Sequence, residues 1–183
     1  MTTTTPLPTR KGLATKRREK KRYRFLLWAL PCLLVGMVLG GVVLRGTVAA
    51  GFIVEQRSME SALESGDAVL ANRLATPARG DIVVMDGWGS GDTYVKRVIG
   101  MPGDTVEYED GVLRLNGVVT PEPYAHGEKD TYSVEVPPGM LWVLGDNRAV
   151  SSDSREHGFM PEGKVIGVVY FRYLPFTSVG VPR

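Results

Sequence analysis

The stretch TYVKRVIGMPGDTV, residues 93–106, decides the fold predicted for this chain. Alternation along a strand places three side chains on each face: Tyr94, Lys96 and Val98 on one, and Val95, Arg97 and Ile99 on the other. Each face therefore carries one cation among apolar neighbours, and we expect at least one of the two to be partly buried. A lysine in such a strand either packs its stem while its ammonium reaches water, or is neutral and serves as a base. The rest of the chain decides between the two.

Further β-type runs lie on both sides of this strand. They are rich in Val, Ile, Leu and aromatic residues and are separated by Gly, Asp, Asn or Pro: DAVLANRL (67–74), GDIVVMDGW (80–88), DTVEYEDGVLRLNGVV (104–119), MLWVLGD (140–146) and KVIGVVYFRYL (164–174). Asp110-Gly111 predicts a type I′ hairpin turn, and Asn116-Gly117 predicts a second turn. The only helix predicted here is the short piece Ser58 to Gly66, closed by its glycine. The pattern therefore indicates a mainly β domain.

The N-terminal part of the chain carries the excess positive charge. Residues 1–24 contain nine Lys or Arg and one acid, whereas residues 25–183 contain 13 basic and 19 acidic residues, a net charge of −6. A nucleic-acid partner for the folded part is therefore disfavoured. The uncharged run of 20 residues that follows, FLLWALPCLLVGMVLGGVVL (25–44), is long enough to cross a bilayer as a helix.

Charge on either side of this run predicts the topology. Basic residues precede it and only Arg45 follows it directly, which places the N-terminus in the cytoplasm. Three parts result: a basic cytoplasmic tail (1–24), a single transmembrane helix (25–44) and an extracytoplasmic domain (45–183). A cleaved secretory signal is the alternative because small residues follow, although the apolar core of such signals is usually shorter. The only cysteine, Cys32, lies in the predicted span, so the domain has no intrachain disulfide.

Polar residues are concentrated where a plain β-domain does not need them. They lie in EQRSMESALESGD (55–67), in the lysine strand, and in GDNRAVSSDSREHGFMP (145–161). Taken alone, Ser58 is equally explained as the cap of a short helix, and the last stretch as a solvated loop. Neither His126 nor His157 has metal-ligand spacing with other residues, so we predict no metal and no cofactor.

Together these stretches resemble type I signal peptidases, the membrane-bound serine proteases that remove leader peptides from exported proteins. The order SM, GD, GDIVV, YVKRVIGMPGDTV and GDNRAVSSDSREHGFMP is that of the family, and the single preceding span looks like its Gram-positive form. The resemblance implies a β-barrel-like core of antiparallel strands with a small β excursion at about residues 108–140. It also implies preprotein signal peptides, cleaved after small residues at Ala-x-Ala sites, as substrates, and a lipid bilayer as a partner.

The resemblance assigns roles to individual residues of this chain. Ser58 matches the nucleophile, Lys96 the general base, and Ser151 the serine whose hydroxyl orients the lysine amine. Two supporting ion pairs are implied, Asp153 with Arg155 and Arg97 with Asp146. The residues expected to line the pockets for small leader side chains are Phe52, Val54, Met59 and Val95.

Physical chemistry sets a requirement on this dyad. A lysine takes a serine proton only when it is neutral near pH 7, so its pKa must fall by about three units from roughly 10.4. Burial supplies such a shift, whereas a carboxylate touching Lys96 would undo it. We therefore expect Asp153 and Asp146 to point at arginines and Ser151 to be the polar partner of the lysine. The backbone N–H of Ser58 is expected to be one oxyanion donor.

Two departures from the family pattern leave an alternative open. Ser61 stands where relatives usually have proline, and Gln56 stands where many carry a hydroxyl that assists the oxyanion. Gln56 could donate through its side-chain amide, but a poorly placed donor typically costs about a hundredfold in rate. The alternative function is a membrane-tethered binding module that keeps the fold and has lost turnover. A self-cleaving Ser-Lys repressor is disfavoured by the predicted span and outward topology.

Overall fold

The computed structural model describes residues 30–37, 40–41, 48–89, 91–127 and 130–182. The chain divides into two units, residues 1–45 and residues 46–183. Helical backbone occupies 30–37 and 40–41 in the first unit. Within the described residues, no helix has the length and apolar character that crossing a membrane requires. The predicted basic tail lies outside the described residues, as do positions 25–29, 38–39 and 42–44 of the predicted span.

The second unit consists mainly of antiparallel strands, as the sequence predicted. In chain order the described strands are β1 (Ala49–Ile53), β2 (Ala68–Asn72), β3 (Ile82–Asp86), β4 (Thr93–Gly100), β5 (Thr105–Glu109), β6 (Val112–Leu115), β7 (Val118–Val119), β8 (Tyr132–Glu135), β9 (Met140–Leu144), β10 (Met160–Pro161) and β11 (Val165–Leu174). They form a seven-stranded sheet of order β1-β2-β11-β3-β4-β9-β10 and a four-stranded sheet of order β7-β6-β5-β8. Both sheets have free edges, so the barrel-like core does not close.

The lysine strand β4 lies inside the larger sheet, between β3 and β9. Lys96 is opposite Val83 of β3, and Arg97 is opposite Ile82 of β3 and Leu144 of β9. Apolar clusters cover both faces of this sheet. Val98 belongs to one cluster, and Val95 packs against another. Both cations are consequently buried, with Lys96 0% and Arg97 5% exposed. The interpretation in which the Lys96 ammonium reaches water is therefore wrong. Both faces of the sheet are covered and β4 is paired on both sides, which leaves the amine no route to water.

The smaller sheet follows β4 in the chain and overlaps the predicted excursion. Its first hairpin joins β5 to β6 through Asp110-Gly111, and both residues have positive φ, 53° and 80°. Asn116-Gly117 joins β6 to β7 in the same way, with φ values of 52° and 79°. Positive φ at both central positions is what a type I′ turn requires, so the two turn predictions are confirmed.

The helix predicted for Ser58 to Gly66 is not present, because this segment forms hydrogen-bonded turns. The N–H of Leu63 donates to the carbonyl of Met59 at 2.8 Å, as in one helical turn. Ser61, however, has φ +87°, a value that does not occur in a right-handed helix. The backbone therefore leaves the helical path after one turn. In the described part of this unit the α-helix is instead α1 (Ser154–His157), with 3₁₀ turns at Glu162–Lys164 and Phe176–Ser178.

Candidate active site

Ser58 and Lys96 are in direct contact, although 38 positions separate them in the sequence. Ser58 lies in the loop that follows β1, and its carbonyl accepts a hydrogen bond of 3.0 Å from the backbone N–H of Asn147. Lys96 reaches it from the middle of β4, with Nζ 2.7 Å from Ser58 Oγ. Ser58 is only 6% exposed, so the pair is largely shielded from water. This is the geometry that proton transfer between a serine and a lysine requires.

The surroundings of Lys96 lower its pKa and so increase the fraction of neutral amine. Burial lowers the pKa of Lys96 to about 8, the main cause being desolvation of the ammonium. Among neighbouring charges, Asp153 and Asp146 act to raise this pKa and Arg155 acts to lower it, and none of them overcomes the desolvation. The ring of Tyr94 lies 5.6 Å from Nζ. At pH 7 roughly a tenth of the amine is therefore unprotonated, compared with well under a thousandth for an ordinary lysine.

Asp146 is held by Arg97, the residue next to Lys96 on the opposite face of β4. Arg97 Nε and Nη2 donate to the two carboxylate oxygens at 2.8 Å and 2.7 Å, and Nη1 donates to the carbonyl of Gly80 at 2.9 Å. Both side chains of the pair are nearly fully buried. A bidentate pair of this kind keeps the carboxylate occupied, so Asp146 makes no direct contact with the lysine amine.

Asp153 is held in the same manner by Arg155. Arg155 Nε and Nη2 donate to its carboxylate at 2.9 Å and 3.0 Å, and the N–H of Gly145 donates at 3.0 Å. Burial by itself raises the pKa of Asp153, but these hydrogen bonds outweigh it and hold the pKa below its ordinary value. Both carboxylates near Lys96 thus point at arginines, as the sequence predicted.

Ser151 does not make the predicted hydrogen bond to Lys96. Its buried hydroxyl lies near the Asp153 carboxylate and contributes to the lowering of the pKa of Asp153. The hydroxyl instead packs against Gly145: a Cβ added there would lie 2.2 Å from Ser151 Oγ and 2.5 Å from the carbonyl oxygen of Ser58. Ser151 therefore lies beside the dyad, while the hydrogen bond of Lys96 goes to Ser58.

A cavity of about 370 Å³ opens beside Ser58. It lies between the end of β1 and the start of β4, and three of the predicted pocket residues, Phe52, Val54 and Val95, line it. Gln56 lines it too, with an exposed side chain that makes no hydrogen bond within the described ranges. Met59 does not line it. The side chain of Met59 is fully buried in the core with Leu63, because the turn after Ser58 directs it inward, so its assignment to the pocket was wrong.

A second cavity, of about 480 Å³, adjoins the first at Ser58. Apart from Ser58 it is lined by Glu55, Gln56, Arg57, Tyr94, Asn147, Val150 and Ser152. Ser58 thus faces two adjoining spaces.

Sequence reasoning missed an ion pair behind this site. Arg148 donates from Nη2 to Glu122 and from Nε to the carbonyl of Gly145 at 2.9 Å, and its side chain is completely buried. The only signal in the sequence was the density of polar residues around GDNR. His157 stacks on Trp88 with ring centroids 4.7 Å apart, and its Nε2 lies 2.6 Å from Ser152 Oγ. Over the part of the chain that the structure describes, no group of three His, Cys, Asp or Glu could hold a metal ion.

Comparisons with known proteins place the chain in a family. Residues 25–174 match the family model described as signal peptidase, peptidase S26. A signal peptidase I of Bacillus caldolyticus is 36% identical over 184 residues, covering 90% of this chain and 97% of the relative. The signal peptidase I T of Bacillus subtilis (strain 168) is 33% identical over 181 residues, covering 90% of this chain and 93% of the relative.

Among solved structures, a crystal structure of a signal peptidase I from Enterococcus faecalis V583 is 37% identical. It covers 51% of this chain and 97% of the other, with a TM-score of 0.48. At that score the likeness does not establish the fold, which rests on the strand pairing described above. Matches of this extent to the family model and to the two Bacillus proteins do establish the family. The chain belongs to the signal peptidase family, peptidase S26, and is a serine endopeptidase of the type I signal peptidase class.

Proposed function

We propose that this chain removes N-terminal signal peptides from exported preproteins, with Ser58 as nucleophile and Lys96 as general base. The observation that carries the proposal is the 2.7 Å contact between Ser58 Oγ and a buried amine whose pKa is lowered to about 8. A serine hydroxyl without a neighbouring base is a poor nucleophile, and the described residues around Ser58 offer Lys96 for that task. The names of the relatives agree with this substrate class.

The reaction follows from this arrangement. Neutral Lys96 accepts the proton of Ser58 Oγ as the oxygen forms a bond to the scissile carbonyl carbon. The resulting ammonium then gives that proton to the departing amine of the mature protein, and the bond between carbonyl carbon and nitrogen breaks. Lys96 is neutral again and takes a proton from the water that attacks the acyl-serine. It returns this proton to Ser58 Oγ as the bond between Oγ and the carbonyl carbon breaks. Because Asp146 and Asp153 are bound to arginines, neither carboxylate traps the ammonium in a direct ion pair.

Developing negative charge on the carbonyl oxygen needs donors close to Ser58. The backbone N–H of Ser58 donates no hydrogen bond within the described residues, which leaves it available as one oxyanion donor. The Gln56 side chain borders both cavities and supplies an amide that serves as the second. An exposed side chain is less preorganised than a backbone N–H, so we expect a slower chemical step than a fixed donor would give.

Substrate selection is assigned to the first cavity. Phe52, Val54 and Val95 line it with apolar side chains, and they favour small apolar residues of an Ala-x-Ala site on the leader side of the scissile bond. The second cavity accommodates the chain beyond that bond. Met59 has no place in this selection because it is a core residue.

Membrane anchoring is part of the proposal and rests on the sequence. Residues 25–44 form the single span, residues 1–24 remain in the cytoplasm, and the catalytic domain, residues 45–183, lies outside. Only 13 residues separate Leu44 from Ser58, so the nucleophile lies near the bilayer surface, where a leader peptide presents its cleavage site. The net charge of −6 over residues 25–183 gives no support to a nucleic-acid partner.

The direct test is cleavage of a preprotein with an Ala-x-Ala site by the full-length protein in lipid or detergent. We expect cleavage after the second alanine, and we expect both Ser58→Ala and Lys96→Met to abolish it. Matched controls are Ser133→Ala and Lys164→Met, which change the same residue types at exposed positions and should cleave normally. A folded wild type no faster than Ser58→Ala on several preproteins would refute the protease function and favour the binding-module alternative.

A further inference from the structure

We propose that residues 121–127, here called the bracing segment, position the Ser58–Lys96 pair by holding the loop of Ser58, the strand of Lys96 and the loop that carries Gly145. The segment lies between β7 and β8, in the connection of the smaller sheet. The inference rests on the proposed dyad and adds to it a structural element that touches neither substrate nor the reacting atoms. Three independent sets of contacts support it.

The first contact holds the nucleophile loop. Ser61 Oγ donates a hydrogen bond of 2.9 Å to the backbone carbonyl of Tyr124, 63 positions away in the sequence. Ser61 is also the residue with φ +87°, so this bond stabilises the turn that a serine alone does not favour. Proline, which locks φ near −65°, could not adopt this conformation. The loop of Ser58 is thus held at Ser61 by a hydrogen bond to the bracing segment.

The second contact supports the strand of the base. The ring of Tyr124 lies over the guanidinium of Arg97, with Cζ 4.0 Å from the ring centroid. Arg97 neighbours Lys96 in β4 and holds Asp146 through both of its carboxylate oxygens. The contact between a cation and the face of an aromatic ring is attractive. The ring therefore seals the ion pair that keeps one carboxylate away from the lysine.

The third contact holds the loop that carries Gly145. Glu122 pairs with buried Arg148, and Arg148 in turn donates to the carbonyl of Gly145. The backbone of His126 adds two hydrogen bonds to the same loop: its N–H donates to Asp146 at 3.0 Å, and its carbonyl accepts from Arg148 at 2.8 Å. Gly145 packs against the carbonyl of Ser58, so displacement of this loop is transmitted to the nucleophile.

Tyr124→Leu in the full-length protein tests the inference, with Tyr124→Phe as the conservative variant that keeps the ring. We expect the leucine variant to lower kcat at least tenfold with KM changed less than twofold, because a misplacement approaching 1 Å costs up to about a hundredfold in rate. Tyr124→Phe should restore most of the activity. Tyr170→Leu is the matched control, since it makes a tyrosine-to-leucine change at a position of β11 that is 43% exposed.

A second readout separates this inference from the proposed function. Loosening the bracing segment admits water to Lys96. The Lys96 amine faces Ser58 and the charges of Asp153, Arg155 and Asp146. We expect the pH at which Lys96 loses its proton, followed by NMR of its side chain, to rise by about one unit in Tyr124→Leu. If the wild type shows no Ser58-dependent cleavage, the protease proposal fails while this titration still tests the brace. A folded Tyr124→Leu with wild-type kcat and an unmoved Lys96 titration would overturn the inference.

Discussion

Replacing Gly145 by alanine should disable the enzyme without unfolding it. Gly145 has no room for a side chain, since an added Cβ would lie 2.2 Å from Ser151 Oγ and 2.5 Å from the carbonyl oxygen of Ser58. Ordinary contacts begin at about 3.4 Å, so the Ser58 carbonyl must retreat by roughly 0.9 Å unless Gly145 itself moves. Moving Gly145 is opposed by Arg148 and Asp153, which bond its carbonyl and its N–H.

The size of the effect follows from that displacement. Ser58 Oγ lies 2.7 Å from Lys96 Nζ, and a shift of about 1 Å breaks this hydrogen bond or bends it severely. Misplacement on this scale costs about a hundredfold in rate. Overpacking a tight site also costs about 1 to 3 kcal/mol of folding free energy, which most domains survive.

The assay compares kcat and KM for preprotein cleavage with the free energy of unfolding in urea. Gly163→Ala is the matched control, because Gly163 has no heavy atom within 4 Å of an added Cβ and no positive φ. It should keep full activity. Cleavage by folded Gly145→Ala at the wild-type rate would refute the argument that the nucleophile is positioned by contact with this glycine.

Other outcomes follow from the same structure. Cleavage by the wild type should rise about tenfold per pH unit below pH 8 and level off above it, because the active form is the neutral amine; a rate profile that is flat between pH 6 and 8 would contradict Lys96 as the base. Between pH 8 and about 10.4 the unfolded chain binds more protons than the folded one, because Lys96 is neutral only in the fold, so the free energy of unfolding should increase over that window. Lys96→Met removes the cost of burying the ammonium. This variant should be up to about 3 kcal/mol more stable than the wild type at pH 7, as measured by denaturation. Met59→Ala should lose about 2 to 5 kcal/mol of folding stability, because it removes a fully buried side chain. Val95→Leu should shift the preferred leader residues toward smaller side chains with little loss of stability, as competition between preproteins would show.

Local patterns in the sequence predicted the features that depend on local chemistry. Alternation in β4 located both cations. The two turns formed because glycine adopts positive φ freely and the Asp or Asn before it tolerates positive φ. The contact between Ser58 and Lys96 was predicted through the family resemblance, since alternation alone left two interpretations of the lysine open.

The errors have a common physical origin in contacts between distant parts of the chain. A helix was predicted from Ser58 onward because nothing nearby shows that Ser61 bonds a carbonyl 63 positions away and adopts φ +87°. Met59 was assigned to the pocket because its direction depends on that same turn. The pair of Glu122 and Arg148 carries no period or motif, so only the folded chain reveals it.

Lys96 and Arg97 occupy neighbouring positions of β4 on opposite faces, and the surroundings act differently on their charges. Burial lowers the pKa of Lys96 to about 8, whereas Arg97 is held by a bidentate carboxylate. A slip of the strand by a single residue would exchange them. It would present to Ser58 a guanidinium that cannot give up its proton, and would give Asp146 a flexible ammonium in place of a rigid fork. Inserting or deleting one residue between Asp92 and Lys96 would therefore abolish the base while leaving the composition of the strand almost unchanged.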